Sequence, residues 1–450
     1  MKKQIGVFGM GVMGQAIARN LARHHYKTSI YNKTTSKTIN VLKKYPENIE
    51  GFLNLHEFVE SLEKPRKILL MVSSNAVDTV LEELIELLDE NDLIIDGGNS
   101  YYLDTERRME KSAKKKIRFM GMGISGGEEG ALNGPSIMPS GDFQDYLEVK
   151  EILENISAKV DQVPCVTYIG EKGSGHFVKM VHNGMEYAQM QLISEIYSYL
   201  RVSYSMEEIQ KIWDRFNMGK MEGYLVKITA DILKHKEKDH FLLDLISDVA
   251  ESKGTGKWTS IAGLDYDVAI PSIISAMQAR TLTHKKRFAV TKEYDAKLYD
   301  TDIEDLEKAY IFSMMIIYEQ GFDLMRTASE KNQWHINLSN IATIWLGGCI
   351  LQSVLLKDVA ESFKKHSSLL LDPSILHELI LSQDGNHRIL KRMIDKNIYA
   401  PVMFSTNAYY EGLTHESLGT SLIQAQRDYF GAHTYQRKDR EGYFHTEWKK

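Results

Sequence analysis

The chain has 450 residues, enough for two or three domains around a large core. Its 43% hydrophobic and 26% charged composition is that of an ordinary soluble enzyme, and a net charge of −6 argues against nonspecific nucleic-acid binding and obliges any anionic ligand to find a local basic pocket. Two cysteines, Cys165 and Cys349, give no disulfide framework; with no long apolar run and an N-terminus that turns glycine-rich too early for a signal peptide, a cytoplasmic location is expected.

Residues 4–8 form a short apolar run, followed by Gly9-Met10-Gly11-Val12-Met13-Gly14 and a helical pattern over 15–24. This is strand, glycine turn and helix in the spacing G-x-G-x-x-G. Gly9 permits the tight turn, Gly11 lets a pyrophosphate approach the backbone, and Gly14 lets helix and strand pack closely. The phosphates then meet free N–H groups at the helix start. Residues 9–14 are the candidate cofactor loop. The second strand, Lys27 to Tyr31, runs into Asn32-Lys33-Thr34. An acid there would bond the ribose of NAD; a cation between two polar groups suits the 2′-phosphate of NADP. NADP is therefore expected over NAD.

Strand-like runs recur at 67–72, 93–96 and 118–122, with helical stretches such as 76–88 between them. Alternating β and α units predict a Rossmann-like α/β domain with a mostly parallel sheet. Ligands bind beyond the carboxyl ends of such strands. Three ends carry small and polar residues: Met71-Val72-Ser73-Ser-Asn75, Asp96-Gly-Gly-Asn99-Ser, and Gly123-Ile-Ser125-Gly126-Gly127 through Ala131. They suit a nicotinamide pocket, with Met71, Val72, Ser73 and Asn99 as candidates, and they also suit ordinary turns.

Gly173 to Gln191 carries the strongest pattern. Lys179, His182, Asn183 and Glu186 fall at i, i+3, i+4 and i+7 and share one helix face. Phe177, Val178, Met180, Val181, Met185 and Met190 fill most of the rest, so the helix reads as buried with its polar stripe facing a cavity. Lys179 and Glu186 are separated by roughly 10 Å along the axis, a span that grips a molecule five or six carbons long. Burial makes a lysine lose its proton more easily and a glutamate keep its own, which supplies one base and one acid. The competing reading is a surface helix with scattered charges. His182 and Glu186 also have a metal-ligand spacing, but no second His or carboxylate matches nearby, so no metal is expected.

From Ser174 onward strand signals nearly vanish. Helical patterns run at 174–201, 206–215, 221–235, 240–253, 268–285, 303–327, 338–356, 374–381 and 384–395. The expected division is a cofactor domain over 1–173, an all-α domain over 174–430 and an extended tail over 431–450. Lys253-Gly-Thr-Gly-Lys257-Trp-Thr259 interrupts the helices as a basic, hydroxyl-bearing turn suited to phosphate, without the Walker spacing. Arg280, in a helix ending His284-Lys-Lys-Arg287, is a second anion candidate, although a basic helix end also complements the dipole. After Thr406 the chain reads as loosening, with a last helix at 421–430. The aromatic tail beyond it is expected to dock on its own chain or on another.

Together these motifs resemble the 6-phosphogluconate dehydrogenase family almost end to end, through Gly9–Gly14, Asp96–Asn99, Ser125–Ala131, Gly175–Tyr187, Lys253–Thr259 and Gln426–Tyr435. The resemblance implies a homodimer that oxidises and decarboxylates 6-phosphogluconate to ribulose 5-phosphate with NADP. It implies Lys179 as the base at the C3 hydroxyl and Glu186 as the acid that protonates C1 of the enediol. Asn99, Ser125, Gly126, Gly127, His182 and Asn183 correspond to contacts with the substrate's carboxylate and hydroxyls. Tyr187, Lys257, Thr259 and Arg280 correspond to its phosphate site, and Arg427 and His433 to residues supplied by the other subunit. The family usually has Ala at position 11 and Arg at position 33, where this chain has Gly11 and Lys33. Two rivals stand beside it: a β-hydroxyacid dehydrogenase that does not decarboxylate, and a non-catalytic NADP sensor. The phosphate set speaks against the first, and the retention of both Lys179 and Glu186 against the second.

Overall fold

Ile5–Phe8 is buried along its whole length, the mark of a strand covered on both faces. In the computed structural model, which describes residues 2–45, 48–252, 254–285 and 303–449, it is β1 of a seven-stranded sheet. The others are β2 (Thr28–Tyr31), β3 (Ile49–Phe52), β4 (Lys67–Leu70), β5 (Leu93–Asp96), β6 (Arg118–Ser125) and β7 (Ser136–Ser140), in the order β3-β2-β1-β4-β5-β6-β7. All neighbours pair in parallel except β6 and β7, which run antiparallel with Ser125 opposite Ser136. The fold is thus the expected Rossmann-like domain with a mostly parallel sheet. The sequence pattern does not disclose β3 or β7, because β3 is short and half exposed and β7 contains Pro139. The strand order reverses at β1 and β4, so the ligand crevice lies beyond their carboxyl ends. Helix α1 (Val12–Arg23) leaves β1, α2 (Val77–Ile85) follows β4, and α3 (Tyr102–Ala113) follows β5.

The remainder is predominantly helical. Its axis is α4 (Ser174–Arg201), whose 28 residues make it about 42 Å long. Around it lie α5 (Thr255–Asp265), α6 (Pro271–Thr283), α7 (Ile303–Asn332), α8 (Pro373–Asp395) and α9 (Pro401–Thr414), followed by α10 (Thr420–Gly431). α4 packs on β6 and β7 at one end and on α5, α6, α7 and α9 along its length. Residues two apart on a strand share a face, and Gly121 and Gly123 leave that face of β6 bare. A Cβ at Gly123 would lie 2.5 Å from the Lys179 Cβ, and one at Gly121 3.0 Å from the His176 ring. The two glycines therefore let α4 lie directly on the sheet.

Several helical expectations change. The described residues 240–252 do not form one helix: Lys236–Glu237 pairs with His240–Phe241, and only Leu242–Leu245 among them is helical beyond it. Leu245, Ile246 and Val249 are exposed there, so no core holds a longer helix. The pattern over 338–356 splits into Leu338–Ile344 and Leu355–Ser362, separated by turns that include Gly348 at φ +65°. The patterns 374–381 and 384–395 join as α8, and the chain stays helical past Thr406 to Thr414. The basic turn at 253–259 is mostly the first turns of α5, capped by Gly254 at φ +92°. Lys253, Lys286 and Arg287 lie outside the described residues. No helix among the described residues is long and apolar enough to cross a membrane.

Candidate active site

The stripe on α4 is brought to the carboxyl end of β6. Lys179 is 6% exposed and His182 is fully buried, while the Glu186 side chain keeps 20% of its surface. His182 Nε2 lies 3.3 Å from Ser125 Oγ, at the end of β6. Its Nδ1 faces Asn183 Oδ1 at 3.4 Å and Glu186 Oε2 at 3.8 Å, and the Trp345 ring stands edge-on at 5.1 Å. Burial, then the neighbouring Lys179 charge, holds His182 well below its ordinary pKa. A neutral imidazole fits this setting, with Nδ1–H donating toward Asn183 and Nε2 accepting from the Ser125 hydroxyl. Burial also lowers the pKa of Lys179, against the opposing pull of Glu186 and Cys349. The result is a buried lysine whose charged form is disfavoured, on the same helix face as the part-exposed Glu186 carboxyl group. Met190, expected among the apolar flanks, is instead 41% exposed and meets Arg280 Nη2 through its sulfur at 3.4 Å.

Beyond Glu186 the helix reaches the basic group. The Arg280 guanidinium lies 3.6 Å above the Tyr187 ring and donates to the Glu251 carbonyl at 2.9 Å. Gly256 abuts the same ring, since a Cβ there would fall 2.7 Å from it. Lys257 is exposed in the first turns of α5. Thr259 is different: it is fully buried, and its hydroxyl donates to the Met180 carbonyl at 2.7 Å. It brackets α5 to α4, where Gly184 leaves room for it.

At the crevice, Gly9 holds φ +110° and its N–H donates to the Tyr31 carbonyl at 2.9 Å. Asn32 Oδ1 accepts from Met10 N at 2.9 Å, and Asn32 Nδ2 donates to the Thr34 carbonyl at 3.1 Å, so the end of β2 holds the loop. Gly11 is the N-cap of α1 and supplies no side-chain cap, which leaves the first-turn N–H groups for a phosphate. Val12 is 60% exposed beside it, with Met13 half-buried behind. The loop thus fits a dinucleotide. Met71 and Val72 are half-buried, Ser73 and Asn99 are exposed, and Gly126 and Gly127 hold φ +121° and +62°. A Cβ at Gly14 would collide with the Gly9 carbonyl oxygen, whereas one at Gly11 would meet nothing within 4 Å. Gly11→Ala is accordingly expected to leave thermal stability near wild type, and Gly14→Ala to lower it; melting curves check the pair.

Sequence reasoning missed the buried supports of these loops. Asp96 accepts from Gly98 N at 3.0 Å and Ser100 Oγ at 2.6 Å. Arg108, buried on α3, donates to Ser100 Oγ, the Ser74 carbonyl and Asp78, so one guanidinium ties the turns after β4 and β5 together. Nothing local distinguishes it from its neighbour Arg107, which is exposed. Among the described residues, no three His, Cys, Asp or Glu side chains are grouped to hold a metal.

The tail forms its own small knot. Asp428 is fully buried and accepts from Thr434 N, His445 Nδ1, Thr446 N and Trp448 Nε1 at 2.9–3.0 Å. Burial raises its pKa, but these donors win and hold it well below the usual carboxylate range. Arg427 donates to Gln424 Oε1 at 3.3 Å, and His433 stands edge-on to Phe430 at 5.7 Å. Both of these contacts lie within α10 and the tail that follows it, apart from the α4 stripe.

A glycine loop at the switch point of a Rossmann-like sheet, with a buried lysine docked on that sheet from a helical domain, defines a dinucleotide-dependent dehydrogenase. Residues 4–170 match the NAD binding domain of 6-phosphogluconate dehydrogenase, and residues 175–448 match the 6-phosphogluconate dehydrogenase C-terminal domain. The chain belongs to the 6-phosphogluconate dehydrogenase family. It is 43% identical to the decarboxylating 6-phosphogluconate dehydrogenase of Staphylococcus epidermidis, covering 100% of this chain and 99% of that one. It is also 43% identical, over 100% of both chains, to the NADP(+)-dependent, decarboxylating enzyme of Bacillus subtilis. The Plasmodium falciparum 6-phosphogluconate dehydrogenase, solved in its apo form and with NADP+ and with 6-phosphogluconate, superposes with a TM-score of 0.92 at 36% identity, covering 99% of this chain and 100% of that one.

Proposed function

We propose that the chain converts 6-phosphogluconate to ribulose 5-phosphate and CO2 with reduction of NADP. The observation that carries this reading is the buried Lys179, its pKa lowered by that burial, two turns from Glu186 on a helix docked at the sheet's ligand end. Gly9–Gly14 together with Asn32, Lys33 and Thr34 would hold NADP, which would supply the hydride acceptor. Lys179 takes the C3 hydroxyl proton as hydride leaves C3. The β-keto acid then loses its carboxylate as CO2, and the electron pair of the broken bond moves toward the C3 oxygen beside protonated Lys179. Glu186 delivers a proton to the carbon that lost CO2, which becomes C1 of the product. Ser125, Gly126, Gly127, His182, Asn183 and Asn99 hold the carboxylate and hydroxyls, while Tyr187, Lys257 and Arg280 receive the phosphate and Thr259 secures the helix that carries Lys257.

The same reading divides the chain into a cofactor domain over 1–173, a substrate domain over 174–430 and a tail over 431–450 that serves a second copy. Exposed Leu422, Ile423 and Phe430 on α10, with Tyr443 in the tail, support the assignment to a second copy, because such a surface gains by being covered. Two buried, free cysteines support a reducing, cytoplasmic setting. The test is a coupled assay: 6-phosphogluconate should yield one CO2 for each NADPH formed. Cofactor reduction without CO2 release would instead assign a non-decarboxylating hydroxyacid dehydrogenase.

A further inference from the structure

The cation at the end of β2 is already engaged. Lys33 Nζ lies 2.6 Å from Glu83 Oε1, with the two side chains 48% and 39% exposed. Glu83 belongs to the last turn of α2, on the far side of the switch point from β2. Its field also reaches Tyr31, at the end of β2, whose hydroxyl pKa is raised by burial and by Glu83 against the pull of Lys33. A carboxylate therefore stands beside the ribose end of the cofactor groove. It arrives from the helix after β4 and not from the strand end where an NAD-binding acid is ordinarily sought.

We infer that Glu83 is a specificity-determining residue that competes with the 2′-phosphate of NADP for Lys33 and offers an acceptor to the 2′-hydroxyl of NAD. The inference rests on the NADP reading above. A 2′-phosphate carries about two negative charges, whereas a 2′-hydroxyl can donate to a carboxylate. To hold the phosphate, Lys33 must turn away from Glu83 or serve both, and either arrangement leaves like charges well within a Debye length of roughly 8–10 Å. An exposed ion pair opens at small cost, so the effect is a graded bias against NADP that weakens with salt.

The experiment is calorimetric titration of wild type, Glu83→Gln and Lys33→Met with 2′,5′-ADP and with 5′-AMP, at low and high salt. Glu83 is exposed, so its substitution spares the core. Glu83→Gln should tighten 2′,5′-ADP about three- to fivefold, the scale of an exposed pair. It should leave 5′-AMP equal or weaker, and the gain should shrink at high salt. An unchanged ratio between the ligands in Glu83→Gln, or weaker 2′,5′-ADP binding, overturns the inference. If wild type prefers 2′,5′-ADP through Lys33 and only the Glu83 variant is silent, the NADP site survives and this inference alone falls. If wild type shows no preference, Lys33→Met changes nothing and Glu83→Gln gains nothing, the 2′-phosphate site and the inference fall together.

Discussion

Lys179→Met is expected to lower turnover by about 10²-fold or more, the usual scale for loss of a general base, while NADP affinity stays near wild type. Methionine matches the length of the lysine stem. The stem packs where Gly123 leaves no room for another side chain, so the variant keeps the contact between α4 and β6. Only the proton acceptor is removed. The pH profile separates this from a structural defect. Burial disfavours the ammonium, so neutral Lys179 persists to lower pH than an ordinary lysine allows. Wild-type kcat/KM should therefore rise through an acid limb below the usual lysine value of about 10.4. Glu186→Gln cannot deliver a proton from a carboxylic acid, so turnover should drop strongly with a smaller effect on substrate affinity. Near-normal turnover in Lys179→Met would remove Lys179 from the mechanism.

The parts of this site that are legible in the chain are those built by local geometry. The Gly9–Gly14 turn needs a left-handed Gly9 and a bare Gly14, and both demands act within six consecutive residues. The stripe from Lys179 to Glu186 is legible because helical periodicity alone puts its members on one face. The buried acid Asp428 of α10 is not legible: its donors lie at residues 434, 445, 446 and 448, gathered by the hairpin that pairs Tyr435–Gln436 with Tyr443–Phe444. Glu83 reads as one more exposed helix position until it meets Lys33, 50 residues away in the chain. Arg108 likewise has no sequence signature that separates a buried clamp from a solvated helix residue. A signal was available for the docking of α4, since Gly121 and Gly123 alternate along one face of β6. The helical start of α5 is hidden for a related reason: Gly254 and Gly256 suggest a loop, yet Gly254 caps a helix and Gly256 makes room for Tyr187.

Arg427→Ala alone is expected to be nearly inactive even though Arg427 is exposed in its own chain and bonds there to Gln424. The physical ground is the tail itself. Asp428 pins the hairpin to α10, which presents Arg427 and His433 on a preformed unit, while Phe430 and Tyr443 stand 73% and 75% exposed. Aromatic side chains left this open gain stability by burial in a second copy, and an arginine delivered with them can clamp an anionic substrate through paired hydrogen bonds. Hybrids decide whether Arg427 serves the partner subunit. Lys179→Ala and Arg427→Ala chains, each nearly inactive alone, are co-expressed under separate tags and the mixed dimers purified. If Arg427 acts across the interface, each hybrid holds one doubly defective site and one intact site, and activity returns to about half of wild type per dimer. If Arg427 serves its own chain, both hybrid sites carry a defect and activity stays low. Dead hybrids, folded and mixed by mass and melting temperature, would return the tail to its own subunit.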